Sequence, residues 1–197
     1  MAIIRTHEVT LTEPDGGGLV LRPLNDTHLP MIYKWCANPE VLYWTEGGVD
    51  VERTFDAEMV HMIYKCVAPG SFCFLIEEAG VPIGTCWLQR LNVPEVQVMY
   101  PSDLDVRSID LCISEKEYWN KGIGTRMVKM LMAFAFEQEK ADVLHCFCED
   151  YNVRSCRMWE KHGFTRVLEE PLSQPQKGQW QYHYRLTKAE FEKEGQK

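Results

Sequence analysis

The chain has 197 residues, a formal net charge of −8 and 45% hydrophobic residues. That length can bury a working core without covalent cross-links, and the acidity argues against binding nucleic acid or an anionic membrane surface, since neither offers counter-charge. A cationic partner suits such a chain better, although moderate acidity also serves simple solubility.

The stretch MAIIRTHEVTLTEPDGGG has no charged start, apolar core or small-residue cleavage site of the kind a signal peptide carries. No apolar run approaches the ~20 residues of a membrane span. The expectation is a cytoplasmic protein with one domain over 1–197, in which 1–18 is an N-terminal extension or edge strand. Eight cysteines are scattered without CxxC pairs. Cys146 and Cys148 flank Phe147 in an alternating run, which points both to one face of a strand. Reduced, buried thiols are expected, with no metal site and no disulfide.

In chain order, GGGLVLRPLN reads as glycines followed by a short strand, and DTHLPMIYKWCAN as a helix capped by Asp26 with Leu29, Ile32, Tyr33 and Cys36 on its apolar positions. EVLYWTEGG reads as an aromatic loop. VDVERTFDAEMVHMIYKCV has a second helical pattern, with Phe55, Met59, Met62 and Ile63 sharing a face. SFCFLIEEAGVPIGTCWLQRL is a hairpin with its turn at Glu78 to Val81. VRSIDLCIS alternates, so Ile109, Leu111 and Ile113 share one face, and Asp110 and Cys112 the other. GIGTRMVKMLMAFAFEQEK is the strongest helix, ADVLHCFCED is a strand, and NVRSCRMWEKHGF is a helix closed by Gly163. The β-α-β-α order implies parallel strands joined by crossing helices. The C-terminal region reads as two strands around a long polar turn, then a short charged helix.

WNKGIGT places bare backbone between a strand and the strongest helix. Unpaired N–H groups at a helix start can hold an anion, and glycines allow it to approach closely. Gly122 and Gly124 leave those groups unshielded, Lys121 adds charge and Thr125 offers a hydroxyl, so a pyrophosphate would fit. The Walker pattern is absent, and the dinucleotide fingerprint lacks its third glycine. Nucleotide hydrolysis and hydride transfer fall away.

The element order β-α-α-β-β-β-α-β-α-β-β, with WNKGIGT opening one long helix and NVRSCRMWEKHGF forming the next, resembles the GCN5-related N-acetyltransferase superfamily over Leu19 to about Phe191. The resemblance implies an α/β (α+β) fold with a mixed sheet of about six to seven strands and about four helices. It implies acetyl-CoA as co-substrate, with its pyrophosphate held by Lys121, Gly122, Ile123, Gly124 and Thr125. Pantetheine would pair with Leu111, Cys112, Ile113 and Ser114 of a strand splayed from its parallel neighbour, with Asn152 near the pantetheine arm. Two departures from the family pattern stand out. Trp119 replaces a common Arg or Gln, and Trp159 replaces the tyrosine that often protonates the departing sulfur.

Within the superfamily, LRPL, HLPMIYKW, EVLYWTEGG, VPIGTCWLQRL, VRSIDLCI and NKGIGTRMV are similar to signatures of aminoglycoside 6′-N-acetyltransferases. By that resemblance Trp44 and Tyr64 line a sugar site and Asp110 contacts the reacting amine. A polyamine sugar needs carboxylates for its ammonium groups and aromatic walls for its rings, and Asp103, Asp105 and Asp110 are candidates. The expected reaction is direct attack of a neutral amine on the thioester in a ternary complex, because no cysteine is placed beside a base in a recognisable motif. Alternatives with the same fold are a protein N-terminus, a polyamine or an N-hydroxylysine siderophore precursor as acceptor, or a non-catalytic acyl-CoA binding module. Exposed aromatics near QWQYHY would suit a dimer, so a monomer or homodimer is expected.

Overall fold

The computed structural model describes residues 2–45, 55–172 and 177–194. Among these residues eight strands form one mixed sheet in the order β1-β2-β3-β4-β5-β6-β8-β7, accompanied by seven α-helices. The chain divides into two compact units: Met1–Trp87 with Asp110–Met127, and Leu88–Ile109 with Val128–Lys197. No helix of the described residues is long and apolar enough to cross a membrane.

In the first unit the short edge strand β1 (Leu11–Thr12) pairs with β2 (Leu19–Pro23), which runs antiparallel to β3 (Ser71–Glu78) in the register Leu21↔Ile76. Alternation buries Leu19 and Leu21 completely. A two-residue turn joins β3 to β4 (Val81–Arg90); Ala79 and Gly80 both have positive φ, 51° and 79°, as a type I′ hairpin requires. Helices α1 (Leu29–Cys36) and α3 (Ala57–Val67) contribute Leu29, Ile32, Trp35, Val60 and Tyr64 to a core that also holds Leu24, Cys73 and Leu75.

Three local expectations change. The aromatic stretch is helical: α2 spans Pro39–Thr45, with a proline at its first position, where the missing N–H does no harm. Residues 46–54, the rest of that stretch and the expected start of the next helix, lie outside the described residues. Helix α3 turns Val60 and Tyr64 inward, four apart, and leaves Met59 and Met62 at 41% and 51% exposure; of the predicted apolar face, Phe55 packs against the core and Ile63 is half-buried, but the two methionines point outward. Asn25, not Asp26, provides the cap before α1, accepting from Thr27 N–H at the head of a 3₁₀ turn over Asp26–His28. The Asp26 carboxylate instead accepts the N–H groups of Ile3 and Ile4, which hold its pKa below the ordinary value.

In the second unit β6 (Val143–Glu149) runs antiparallel to β8 (Trp180–Thr187), which pairs in turn with β7 (Thr165–Pro171). Helix α5 (Ile123–Ala133) starts in the first unit; the second holds its last residues and a π-helical segment, Phe134–Gln138, that buries Phe134, Ala135 and Phe136. Helix α6 (Val153–Lys161) is followed by Gly163 at φ 79°, as expected for a helix closed by glycine. A short α4 (Pro94–Gln97) and the charged α7 (Lys188–Glu194) complete the set. None of the eight cysteines, all among the described residues, is in a disulfide; five are buried, but Cys36 and Cys112 are half-buried and Cys66 is exposed.

At its start β5 (Val106–Ile113) pairs in parallel with β6 at Val106↔Val143 and Arg107↔Leu144. The Arg107 guanidinium is 8% exposed and is shared between the Asp105 carboxylate, at 2.8 Å and 3.2 Å, and Glu139 at 2.9 Å. Removing it strands two carboxylates in a poorly solvated place. We expect Arg107→Ala to lower unfolding free energy by about 3 kcal/mol, checked by urea denaturation.

Candidate active site

In the first unit the end of β5 is held against β4 by main chain alone. The Ile83 carbonyl accepts N–H bonds from both Ser114 at 2.8 Å and Glu115 at 3.2 Å, a bulge that ends the strand. Gly84 lies so close that a Cβ there would come within 2.0 Å of the Cys112 carbonyl oxygen. Because the Ser114 N–H faces β4, alternation turns the polar groups of Cys112 to the same side and those of Leu111 and Ile113 to the opposite edge. The Ile113 carbonyl accepts the Trp119 indole N–H at 2.7 Å. The Leu111 N–H and C=O and the Ile113 N–H therefore point to the edge where an extended amide chain can pair. Ser114, proposed from sequence for the same task, has its N–H committed to Ile83.

The chain then passes through a 3₁₀ turn, Lys116–Tyr118, into a loop with two left-handed residues, Asn120 at φ 61° and Gly122 at φ 75°. Gly122 is needed for that backbone and not for lack of room, since a Cβ there would meet nothing within 4 Å. The ladder of α5 opens with Arg126 N–H to Gly122 C=O at 3.1 Å, so the N–H groups of Ile123 and Gly124 precede the first helical bond. No acidic residue lies in the first turn. Lys121 is exposed, its ammonium 5.3 Å from the Tyr118 ring centroid. Arg126 is held by Glu13 and Glu78, so the free positive charge here comes from Lys121 and the helix dipole. These features fit a diphosphate.

Asp110 sits on β5 just before this edge. Its surface is open to solvent, yet protein crowding at longer range raises its carboxyl to about 6. Behind it, burial pushes the Cys86 thiol up, with the charges of Cys73 and Asp110 adding to the effect. Trp44 is half-buried on α2, edge-on to Tyr43 at 5.0 Å. Tyr64 is only 3% exposed, hydrogen-bonded to Thr85 and edge-on to Trp87 at 6.2 Å. Its position makes it a core residue of this unit.

In the second unit Asp103 is exposed, but Asp105 is spent on Arg107 and on Arg90 at 3.9 Å, which leaves it poorly placed to meet a substrate ammonium. Asn152 is the N-cap of α6, accepting from Ser155 N–H at 3.3 Å. Trp159 is 2% exposed, packed 5.1 Å from Phe164, and its indole N–H is buried without a hydrogen-bond partner. It cannot stand in for an acid at a solvent-facing sulfur. Sequence reasoning missed a chain in this unit: Tyr100 Oη to His145 Nδ1 at 2.6 Å, His145 Nε2 to His183 Nδ1 at 3.0 Å, and His183 Nε2 to Glu170 Oε2 at 3.2 Å. Only the alternation of His145 along its strand hinted at a buried histidine.

Comparison with known proteins agrees with this geometry. The acetyltransferase (GNAT) domain family matches residues 18–165, and the chain belongs to that family. It is an acetyltransferase of the GNAT class. The aminoglycoside N(6′)-acetyltransferase type 1 of Klebsiella pneumoniae is 25% identical over 150 residues, 75% of this chain and 74% of that one; its Serratia marcescens counterpart gives the same figures. Among solved structures, aminoglycoside acetyltransferase AAC(6′)-Ib bound to coenzyme A and kanamycin superposes with a TM-score of 0.68 at 20% identity, covering 89% of this chain and 98% of that one. Spermidine N-acetyltransferase of Vibrio cholerae, bound to CoA and spermine, superposes with a TM-score of 0.70 at 15% identity, covering 88% and 98%.

Gly84 provides a direct test of the strand-end geometry. A methyl group there pushes the Cys112 carbonyl, and the 111–113 edge with it. We expect Gly84→Ala to weaken coenzyme A binding about tenfold or more by calorimetry, whereas Gly122→Ala, with open space and only backbone strain, costs about 1 kcal/mol of stability in thermal unfolding.

Proposed function

We propose that this protein transfers an acetyl group from acetyl-CoA to a primary amine of a cationic small molecule, and that the acceptor is the 6′-amine of an aminoglycoside. The observation that carries the reading is the β5 edge at Leu111 and Ile113 running directly into the open turn at 120–124, on an acetyltransferase fold. The 25% identity to the Klebsiella pneumoniae enzyme supports the acceptor, and the net charge of −8 favours a polycation. In this reading the whole chain works as one acetyltransferase domain, placed in the cytoplasm where acetyl-CoA is made, and its consequence is antibiotic resistance.

Ile123, Gly124 and Thr125, with Lys121, hold the diphosphate, and the free polar groups of Leu111 and Ile113 pair with the amides of pantetheine. The co-substrate supplies an acyl group activated toward a neutral amine. Asp110 accepts a hydrogen bond from the incoming ammonium and orients it, and Trp44 contacts the acceptor's ring face. Holding both substrates in one geometry accounts for much of the acceleration, since effective molarities of ~10⁵ M or more are available to well-oriented partners. A carboxyl near 6 is also a better proton acceptor at neutral pH than an ordinary aspartate at ~3.9.

The acceptor is tested by mixing the protein with acetyl-CoA and kanamycin, spermine, an N-terminal peptide or a hydroxylamine, and following free thiol. Release with kanamycin but not with the others is the expected result; release only with another class reassigns the acceptor. Tight coenzyme A binding with no release from any of them would mark a non-catalytic module.

Asp110 carries a pH signature with opposite signs for activity and stability. Its folded pKa lies above the unfolded value, so the folded protein holds this proton more tightly, and stability falls as pH rises from ~4 through about 6. Asp110→Asn should therefore melt higher than the wild type at pH 7 and equally at pH 3.5. The same substitution should cut kcat by about a hundredfold with little change in coenzyme A affinity, and abolish the rise of wild-type kcat/KM through pH 6.

A further inference from the structure

Two thiols of the second unit take no part in acetyl transfer. We propose that Cys148 and Cys156 are a reversible oxidation site, where a hydroperoxide converts the pair to an intramolecular disulfide and a dithiol reductant restores both thiols. This chemistry is independent of the acceptor amine.

The pair is placed by backbone. Cys148 lies next to the end of β6 and Cys156 in α6, eight positions on. The Glu149 carbonyl accepts the Asn152 N–H at 3.0 Å and closes a tight turn, and the Asn152 carbonyl accepts the Cys156 N–H at 3.1 Å as the helix opens. The Asn152 side chain caps the same helix end through Ser155 N–H. Strand, turn and helix are thereby held together, with the two sulfurs 3.1 Å apart, about 1 Å beyond bonding distance. Both converge on one oxygen: the Glu149 carbonyl lies 3.5 Å from Cys148 Sγ and 3.6 Å from Cys156 Sγ.

Reach and reactivity separate this pair from the other buried cysteines. Cys73, Cys86 and Cys146 are 0% exposed, whereas Cys148 and Cys156 keep 6% and 8%. Val153, at the start of α6, is 48% exposed, so the pair lies just beneath the surface. Burial pushes Cys73 up to about 12 and raises Cys86 as well, which keeps both as thiols of low reactivity. Cys156 is held below the ordinary thiol range, chiefly by the hydrogen bond that Cys148 donates to it. The same bond, with burial, raises Cys148. The two sulfurs are therefore unlike: Cys156 is the nucleophile and Cys148 the thiol that resolves it.

In the first step the Cys156 thiolate attacks hydrogen peroxide. An S–O bond forms, the O–O bond breaks, and the departing hydroxide takes up the proton that the thiol released, giving water and a sulfenic acid. In the second, the Cys148 sulfur attacks the Cys156 sulfur. The S–S bond forms, the S–O bond breaks, and the hydroxide leaves with the Cys148 proton as water. Two thiols lose two electrons in all, and one peroxide gains them. The resulting bridge ties the end of β6 to α6 and closes a short loop, and thiol–disulfide exchange with a dithiol reverses it.

The test uses the full chain, reduced, desalted and treated with hydrogen peroxide; remaining thiols are then alkylated and the protein is mapped by mass spectrometry. Trypsin cuts after Lys140, Arg154 and Arg157, so the bridge joins peptide 141–154 to peptide 155–157, and fragmentation tells Cys148 from Cys146. Cys148 and Cys156 should disappear together, about tenfold faster than Cys73, Cys86 and Cys146, and dithiothreitol should return both. Cys148→Ser removes the resolving thiol, and Cys156 should then carry a sulfenic acid that dimedone traps. Loss of Cys156 without Cys148, a bridge through Cys146, or oxidation of the pair no faster than of Cys73 and Cys86 overturns the proposal. The wild-type map decides by itself if the variant does not fold.

Discussion

One carbonyl decides the geometry of the candidate site. Ile83 C=O accepts two successive N–H groups, from Ser114 and Glu115, and so ends β5 with a bulge beside a glycine that leaves no room for a side chain. The Trp119 indole then returns to the Ile113 carbonyl. The last residues of the strand are fixed from both sides, and the glycine turn before α5 follows within a few residues of that anchor. Side-chain chemistry could be rearranged around this frame, but the frame consists of backbone polar groups in close approach, which tolerate almost no displacement.

Charge is distributed around that frame by partnering and not by residue type. Asp105 and Asp110 lie five residues apart and both looked like ligands for a cation. Asp105 is bound to Arg107 and Arg90 and holds a strand end together. Asp110 has a solvent-open surface and a carboxyl raised to about 6, a state suited to exchanging a proton near neutrality. Arg126 shows the same principle in the opposite sign, since Glu13 and Glu78 neutralise it and leave the helix start to main-chain dipoles and Lys121.

The buried histidines carry a cost that packing alone does not explain. Two neutral imidazoles in place of apolar side chains sacrifice desolvation free energy, recovered only while every link of the chain from Tyr100 to Glu170 is made. Such a fully connected polar network ties β6, β8 and β7 to one another through side chains as well as through the backbone ladder.

Local signals made much of the architecture legible. The hairpin at Ala79 and Gly80, the helical period from Ile123 to Ala135 and the glycine stop after α6 are each written within a few neighbouring residues, and the glycine turn before α5 stood out for the same reason. The helix at Pro39–Thr45 was hidden by its aromatics and short length, and the inward face of α3 by methionines that are apolar yet exposed. The sequence by itself determined the order of most elements, the family and the glycine turn before α5, because propensity, periodicity and glycine conformation act over short spans. Only the tertiary structure decided which carboxylates are spent on arginines, which strand edge is free and how positions 100, 145, 183 and 170 join in one chain, because those outcomes depend on registers and contacts between segments far apart in sequence.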